Sequence, residues 1–186
     1  MPTCRPREFQ QSTGIRSGVP SSCRLIELAA QRLVLGADVA AAKFASGKRI
    51  DDPTREQEIL SWVADRLNAA EARHEICVAF FRDQMAASKV VQRGLHARWR
   101  DHPRECPPRR RDLTAEIRPE LDAINEEMLS LLAGTEDLPS LRQGHCAGLF
   151  DRVLSASTAL EPLRGLRQAA ERVALRSLRA AGDARR

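Results

Sequence analysis

An all-α fold, a single-domain helical bundle of five to six helices, is what this sequence predicts, on three observations. With no Tyr, 2 Trp and 5 Phe in 186 residues, the chain is poor in the aromatic side chains that pack well on a pleated sheet. Ala, Leu, Arg and Glu are abundant, and these lose little conformational freedom in a helix. Proline and glycine punctuate long stretches of helical periodicity rather than short alternating runs. An all-β fold is excluded. The 42% hydrophobic and 30% charged residues are those of a folded globular chain, long enough for one core and hardly for two.

Residues 1–20 read as a flexible N-terminal arm, closed by Gly14, Gly18 and Pro20. The all-α domain follows over 21–182, with one set of helices over 22–101 and a second helical half over 113–182. Ser21 or Ser22 caps a first helix that runs to about Ala45 ahead of Gly47, with Gly36 a small cost inside it. Asp52 caps a second helix with Pro53 in its first turn, reaching about residue 70. A third spans about His74 to Arg100, stopped by Pro103. The segment DHPRECPPRRRD over 101–112 is a connection and no helix interior. Pro119 belongs to the first turn of a fourth helix ending at Gly134, and a fifth stretch from about Gly144 breaks near Pro162 before resuming to about Ala181.

The 30 basic against 25 acidic residues give a formal charge of +5, and 27 of the basic residues are Arg. Arginine is a planar, permanently charged fork for carboxylates and phosphates, although so strong a bias over Lys equally follows from genome composition. Placement therefore decides. On the first helix Arg32 and Lys43 fall on the apolar stripe marked by Leu28, Leu35 and Val39. Eleven residues apart, they share a face about 16 Å apart along the axis. They either bracket a small anion, or snorkel or pair with core carboxylates. On the second helix Glu56, Ile59, Val63 and Leu67 form a stripe that Asp52 extends, with Arg55 one step aside. The same residues also suit a plain helix cap and a solvated first turn.

On the third helix Ser88 and Gln92 interrupt a stripe of Phe81, Met85, Leu95 and Trp99, so their hydrogen-bond partners are either structural or a ligand's oxygens. On the fourth, Arg118 precedes Leu121, Met128 and Leu132, either directed inward or an ordinary surface arginine. Jointly, four helices turn polar groups toward one centre, a pocket for a compact dianion that carries a hydroxyl group.

No GxGxxG, GxxxxGK, HExxH or Gly-flanked Ser elbow is present. His74, His96, His102 and His145 lie at no catalytic or metal spacing, and Cys4, Cys23, Cys77, Cys106 and Cys146 form no CxxC pair. No metal and no cofactor are expected. Without a nucleophile or general base, the pocket points to chemistry by positioning and electrostatics. No apolar run is long enough to span a membrane, and residues 1–24 hold no continuous apolar export segment.

At this level the chain resembles the all-helical chorismate mutases of the AroQ type. The resemblance rests on Arg32, Lys43, the DDPTRE segment with Asp52, Arg55 and Glu56, and Ser88 and Gln92 in SKVVQ. These polar positions match that family's active-site set without a shift, within a similarity covering about residues 22–180. The second half is similar to the secreted, gamma subclass, in which one chain builds a whole pocket and the RPELDAINEEML segment supplies the last arginine, Arg118.

The resemblance implies a cofactor-free pericyclic rearrangement of chorismate to prephenate. Arg32, Arg55 and Arg118, helped by Ser88, would hold the two carboxylates. Lys43 and Gln92 would donate to the ether oxygen, and Glu56 with the backbone at Asp52 would hold the ring hydroxyl. Lys43, Gln92 and Arg55 are then the catalytic residues, although many relatives have Glu where this chain has Gln92. The resemblance also implies a homodimer and a secreted or periplasmic address, whereas residues 1–24 suit a cytoplasmic chain or one freed of its export signal. Cys146 resembles the first half of a C-terminal disulfide of that subclass, but Arg176 stands where its partner would be.

Three other readings stay open. Isochorismate pyruvate-lyase activity on the same scaffold is disfavoured if Glu56 holds the chorismate hydroxyl. A nucleic-acid or protein-binding helical module would use PPRRRD and the Arg-rich C terminus, but these lack interleaved aromatics, so a solvated charge run and no nucleic-acid partner are expected. A regulatory domain would sense an aromatic amino acid in the pocket without catalysis.

Overall fold

The computed structural model describes residues 21–67, 72–108, 110–134 and 148–183, and all of their regular structure is helical. The expected arm over 1–20, together with Gly144, His145 and Cys146, lies outside the described residues. The α-helices are α1 (Ser21–Ser46), α2 (Pro53–Asp65), α3 (Ala72–Asp101), α4 (Arg118–Gly134), α5 (Leu149–Ser155), α6 (Arg164–Ala174) and α7 (Arg176–Asp183). The described helices exceed the expected five to six because the C-terminal stretch divides into α5, a 3₁₀ turn at Thr158–Leu163 that holds Pro162, α6 and α7.

The two long helices α1 and α3 form the centre. One side of α1 packs on α3, and other sides meet α4 and α5; α3 is covered in turn by α2, α6 and α7. Ala29, Ala30, Ala37, Ala40 and Ala41 are buried along α1 and let neighbouring backbones approach closely, while Leu25, Leu28 and Leu33 fill the gaps. From α3 come Phe80, Phe81, Leu95 and Trp99, and from α4 Met128 and Leu132. Each such side chain contributes about 1.5–3 kcal/mol on burial. Leu35, expected on the same stripe as Leu28, is instead half-buried beside Ile124 and Val153 in a separate cleft.

The helix ends follow local chemistry. Gly47, at φ 65°, takes the left-handed conformation that closes α1, and the Lys48 N–H donates to the Lys43 carbonyl at 3.1 Å. Asp52 accepts from the Arg55 N–H at 3.2 Å, and Pro53 opens α2 as expected. That helix stops at Asp65 rather than near residue 70, and the Arg66 guanidinium that follows lies 4.6 Å from the Trp62 ring centroid. Arg111, expected as part of a solvated charge run, ties the connection to the bundle through Asp38 of α1 at 3.2 Å and Glu120 of α4.

The fourth helix also begins earlier than Pro119 suggests. A π-helical turn, Leu113–Ile117, precedes α4 and is capped by Asp112, which accepts from the N–H groups of Thr114 at 2.8 Å and Ala115 at 2.6 Å. A proline clashes with the carbonyl four residues back in a regular helix, and the wider turn relieves that contact.

Cys23 is disulfide-bonded, whereas the half-buried Cys106 is a free thiol. Sequence reasoning did not single out Cys23. At the position where a second disulfide cysteine would stand in the resembling subclass, Arg176 instead pairs with Asp83 of α3, whose side chain is 2% exposed. Asp83 also accepts from the Ser177 N–H at 2.8 Å and from the Ser177 hydroxyl, so one buried carboxylate caps α7 and fastens it to α3. Arg176→Leu leaves that carboxylate buried with Ser177 alone and is expected to cost about 2–3 kcal/mol. Adding Asp83→Asn recovers part of the loss. Urea unfolding midpoints check both, and equal midpoints for wild type and Arg176→Leu would remove the clamp.

Candidate active site

One cavity, bounded by α1, α2, α3 and the start of α4, is lined by Arg32, Lys43, Asp52, Arg55, Glu56, Ser88, Gln92 and Arg118. All eight residues picked out in the sequence therefore meet in one chain. Val39, Ile50, Ile59, Met85, Leu113 and Leu121 supply its apolar wall. The pocket is thus amphiphilic, with charge arranged against an apolar surface.

Arg32 and Lys43 make the inner charge of the site. They are 4% and 7% exposed, and neither has a carboxylate within salt-bridge distance among the described residues. Arg32 donates through Nε to Asn125 Oδ1 at 3.0 Å. Lys43 donates through Nζ to the Ile50 carbonyl at 2.7 Å. Burial pushes the Arg32 guanidinium down to about 10 and the neighbouring Arg55 adds to this, while Asp122 acts the other way. Burial likewise lowers the Lys43 ammonium from its ordinary value, against the pull of Asp52. The sequence left snorkelling or pairing with core carboxylates open for both residues, and among the described residues neither pairs with a carboxylate.

The outer groups are already paired. Arg55 bridges to Asp122 and, at 3.3 Å, to Glu58; Arg118 reaches Asp52 at 3.4 Å. Glu56 accepts from Lys89 at 2.8 Å and from the Asp52 N–H at 3.4 Å. Lys89 also lies 3.7 Å from Asp51, which Arg93 holds at 2.8 Å.

Ser88 and Gln92 stand one turn apart on α3. Gln92 Nε2 donates to Ser88 Oγ at 3.0 Å, and the buried Oε1 has no partner. Rotating the amide by half a turn lets the hydroxyl donate to Oε1 and frees both amide hydrogens for a ligand. Gly36 explains how the hydroxyl fits, since a Cβ there would lie 3.0 Å from Ser88 Oγ. The glycine that cost helix stability in the sequence is the point where α1 passes α3 at the pocket.

Sequence reasoning missed Lys89, Asp122 and Asn125. Asn125 interrupts the α4 stripe of Leu121, Met128 and Leu132, the same signal that exposed Ser88 and Gln92. Lys89 and Asp122 carry no such mark, because each flanks a stripe and bends toward a counter-charge. His96 is buried and engaged structurally, 2.9 Å from the Ala40 carbonyl and stacked edge-on to Phe44. Among the described residues no cluster of His, Cys, Asp or Glu could hold a metal, and no helix is long and apolar enough to cross a membrane.

The buried ammonium has a measurable signature. Because its folded proton affinity is lowered, Lys43 penalises the folded state at neutral pH, and the penalty fades as pH rises from the folded value toward 10.5. Lys43→Met is therefore expected to be more stable than wild type at pH 7, with the difference shrinking toward pH 10.5. Urea titrations of both proteins across that range check it, and a pH-independent difference would show that the charge is not strained.

Comparison with known proteins bears on the family and the fold. The family model described as chorismate mutase type II matches residues 23–93. The secreted chorismate mutase of Mycolicibacterium smegmatis is 35% identical over 136 residues, 71% of this chain and 71% of that protein. The secreted chorismate mutase of Mycobacterium tuberculosis is 26% identical over 166 residues, 80% of this chain and 82% of that protein. Among solved structures, chorismate mutase from Burkholderia thailandensis superposes with a TM-score of 0.64 at 31% identity, covering 85% of this chain and 98% of its own. The Burkholderia phymatum enzyme gives 0.65 at 26% identity, covering 85% and 95%. A shared sequence over most of both chains and a shared helical fold place this protein in the chorismate mutase type II family.

Proposed function

We propose that this chain is an isomerase that converts chorismate to prephenate, and that the eight pocket residues perform the reaction. The observation that carries the reading is the pair of buried cations, Arg32 and Lys43, facing one cavity without carboxylate partners. Such charges are tolerable where an anionic ligand completes them. Chorismate brings two carboxylates, a ring hydroxyl and an ether oxygen, and the pocket holds a chemical complement to each.

The reaction is unimolecular, so the protein has to select a conformer and stabilise developing charge. Arg32, Arg55 and Arg118, with Ser88, grip the two carboxylates and hold the enolpyruvyl side chain over the ring. As the carbon–oxygen bond breaks, the ether oxygen becomes more negative. Lys43 and Gln92 donate to it, an interaction stronger in the transition state than in the ground state and strengthened by the low local dielectric. Glu56 accepts from the ring hydroxyl and the Asp52 N–H donates to its oxygen, so the two orient it, with Lys89 holding the carboxylate in place. That role favours chorismate over isochorismate and so favours rearrangement over lyase chemistry. The helices over 22–101 supply seven of the groups, and the second half over 113–182 supplies Arg118. A homodimer, implied by the resemblance, would support the fold without completing the pocket, because one chain carries every group.

Loss of chorismate absorbance with purified protein, and identification of prephenate as product, test the assignment. Lys43→Ala or Arg55→Ala is expected to lower kcat/KM by roughly 100-fold or more with helicity retained, the scale for removing a transition-state donor. Full activity in either variant would overturn the residue assignment. Gln92→Glu is expected to lose activity as pH rises through the new carboxyl's titration, since only the protonated acid donates. A profile parallel to wild type would remove Gln92 from the ether oxygen.

A further inference from the structure

We propose that Asn125 is a positioning residue that aims Arg32 at the substrate while leaving its charge uncompensated. The inference rests on the chorismate reading of the pocket. Asn125 is 2% exposed on α4 and does not line the cavity; it lies behind Arg32, in contact with the cleft that holds Trp62 and Ile59.

The bond it makes fixes its role. Arg32 Nε–H donates to Asn125 Oδ1 at 3.0 Å, a buried contact between residues 93 apart in sequence. An Nε contact holds the guanidinium plane from its stem and leaves both terminal amino groups to meet a carboxylate side by side. A neutral acceptor also avoids cancelling the charge. Arg55 and Arg118 show the alternative, since both sit in carboxylate pairs with Asp122 and Asp52 and must exchange or share these partners when substrate enters. Arg32 has nothing to exchange.

The helix geometry makes α4 the common frame for all three arginines. Arg118 and Asn125 are seven residues apart, two turns along one face, and Asp122 lies between them. One helix thus presents one arginine itself, holds the second through Asp122 and orients the third through Asn125. The charged groups facing Arg32 are Asp122 from α4, which favours its charge, and Arg55 from α2, which opposes it. A second carboxylate at position 125 would tip that balance to neutrality.

Asn125→Asp is the test, because it keeps the shape and changes only the charge. It is expected to form an ion pair with Arg32, to leave the urea midpoint equal to wild type or higher, and to raise KM roughly 10-fold to 100-fold with a smaller change in kcat. A purely structural asparagine would move stability and activity together. Unchanged KM in an active, stable variant would overturn the proposal and leave the mutase reading intact. If Asn125→Asp does not fold, Asn125→Leu, which removes the acceptor at similar volume, is expected to raise KM, and an unchanged KM would again overturn the proposal. If the wild type does not turn chorismate over, the mutase reading falls, and calorimetric titration with chorismate decides for Asn125. A Kd at least tenfold weaker in Asn125→Asp then supports the role, whereas equal Kd values, or no binding to either protein, overturn it.

Discussion

Two positive charges buried on one helix, facing a cavity without a carboxylate partner, constrain the rest of the molecule. Taking an ammonium or guanidinium out of water costs several kcal/mol even after relaxation, and single hydrogen bonds to Ile50 and Asn125 offset only part of it. The core must carry the remainder. The close packing of α1 on α3, through small residues on one helix and Phe80, Phe81 and Trp99 on the other, provides that margin. The unliganded protein is therefore strained at this pocket, and under the proposed function an entering dianion relieves the strain.

Counter-charge increases outward from that centre. Carboxylates partner Arg55, Arg118 and Lys89 at the partly exposed edge and leave Arg32 and Lys43 alone inside. Exposed pairs are weak, so the outer arginines can exchange these carboxylates for those of a substrate at little cost. The inner charges stand in a drier setting, where an interaction with an anion is stronger. Under the proposed function, this arrangement separates capture at the mouth from stabilisation of the breaking bond inside. A carboxylate at salt-bridge distance from Lys43 would improve the resting protein and, under the proposed function, blunt the charge offered to the ether oxygen.

The residues that were legible in the sequence share one physical property. Arg32, Lys43, Ser88, Gln92 and Arg118 interrupt apolar stripes on helices, and a helical period reports faces directly. Asp52 and Pro53 were readable because caps are local chemistry. Asp122 and Lys89 were hidden, since their positions beside Arg55 and Glu56 depend on how α4 and α3 meet α2, which no local pattern encodes. Asn125 was visible on the α4 stripe but had no distinguishing chemistry until Arg32 was placed against it. The clamp of Asp83 on Arg176 and Ser177 is likewise a contact between distant segments. The end of α2 and the division of the C-terminal helices reflect packing, which overrides propensity.

The π-helical turn before α4 shows how backbone irregularity serves this pocket. In a regular α-helix, residues five apart point about 140° away from one another. Leu113 and Arg118 are five apart, yet both line the cavity. The Arg118 N–H donates to the Leu113 carbonyl, and the Ile117 N–H donates to the Asp112 carbonyl at 3.0 Å, so the turn is closed one residue wider and brings the two toward one side. Leu113 then supplies apolar wall where Arg118 supplies charge. Pro119 reinforces the arrangement, because a standard helix cannot run through it without losing a bond and gaining a clash. Asp112 caps the wide turn, and Arg111 beside it anchors to α1 through Asp38, so the arginine enters the pocket from a backbone fixed at both ends. The second half of the chain thereby completes the site, delivering the third arginine from within the same polypeptide.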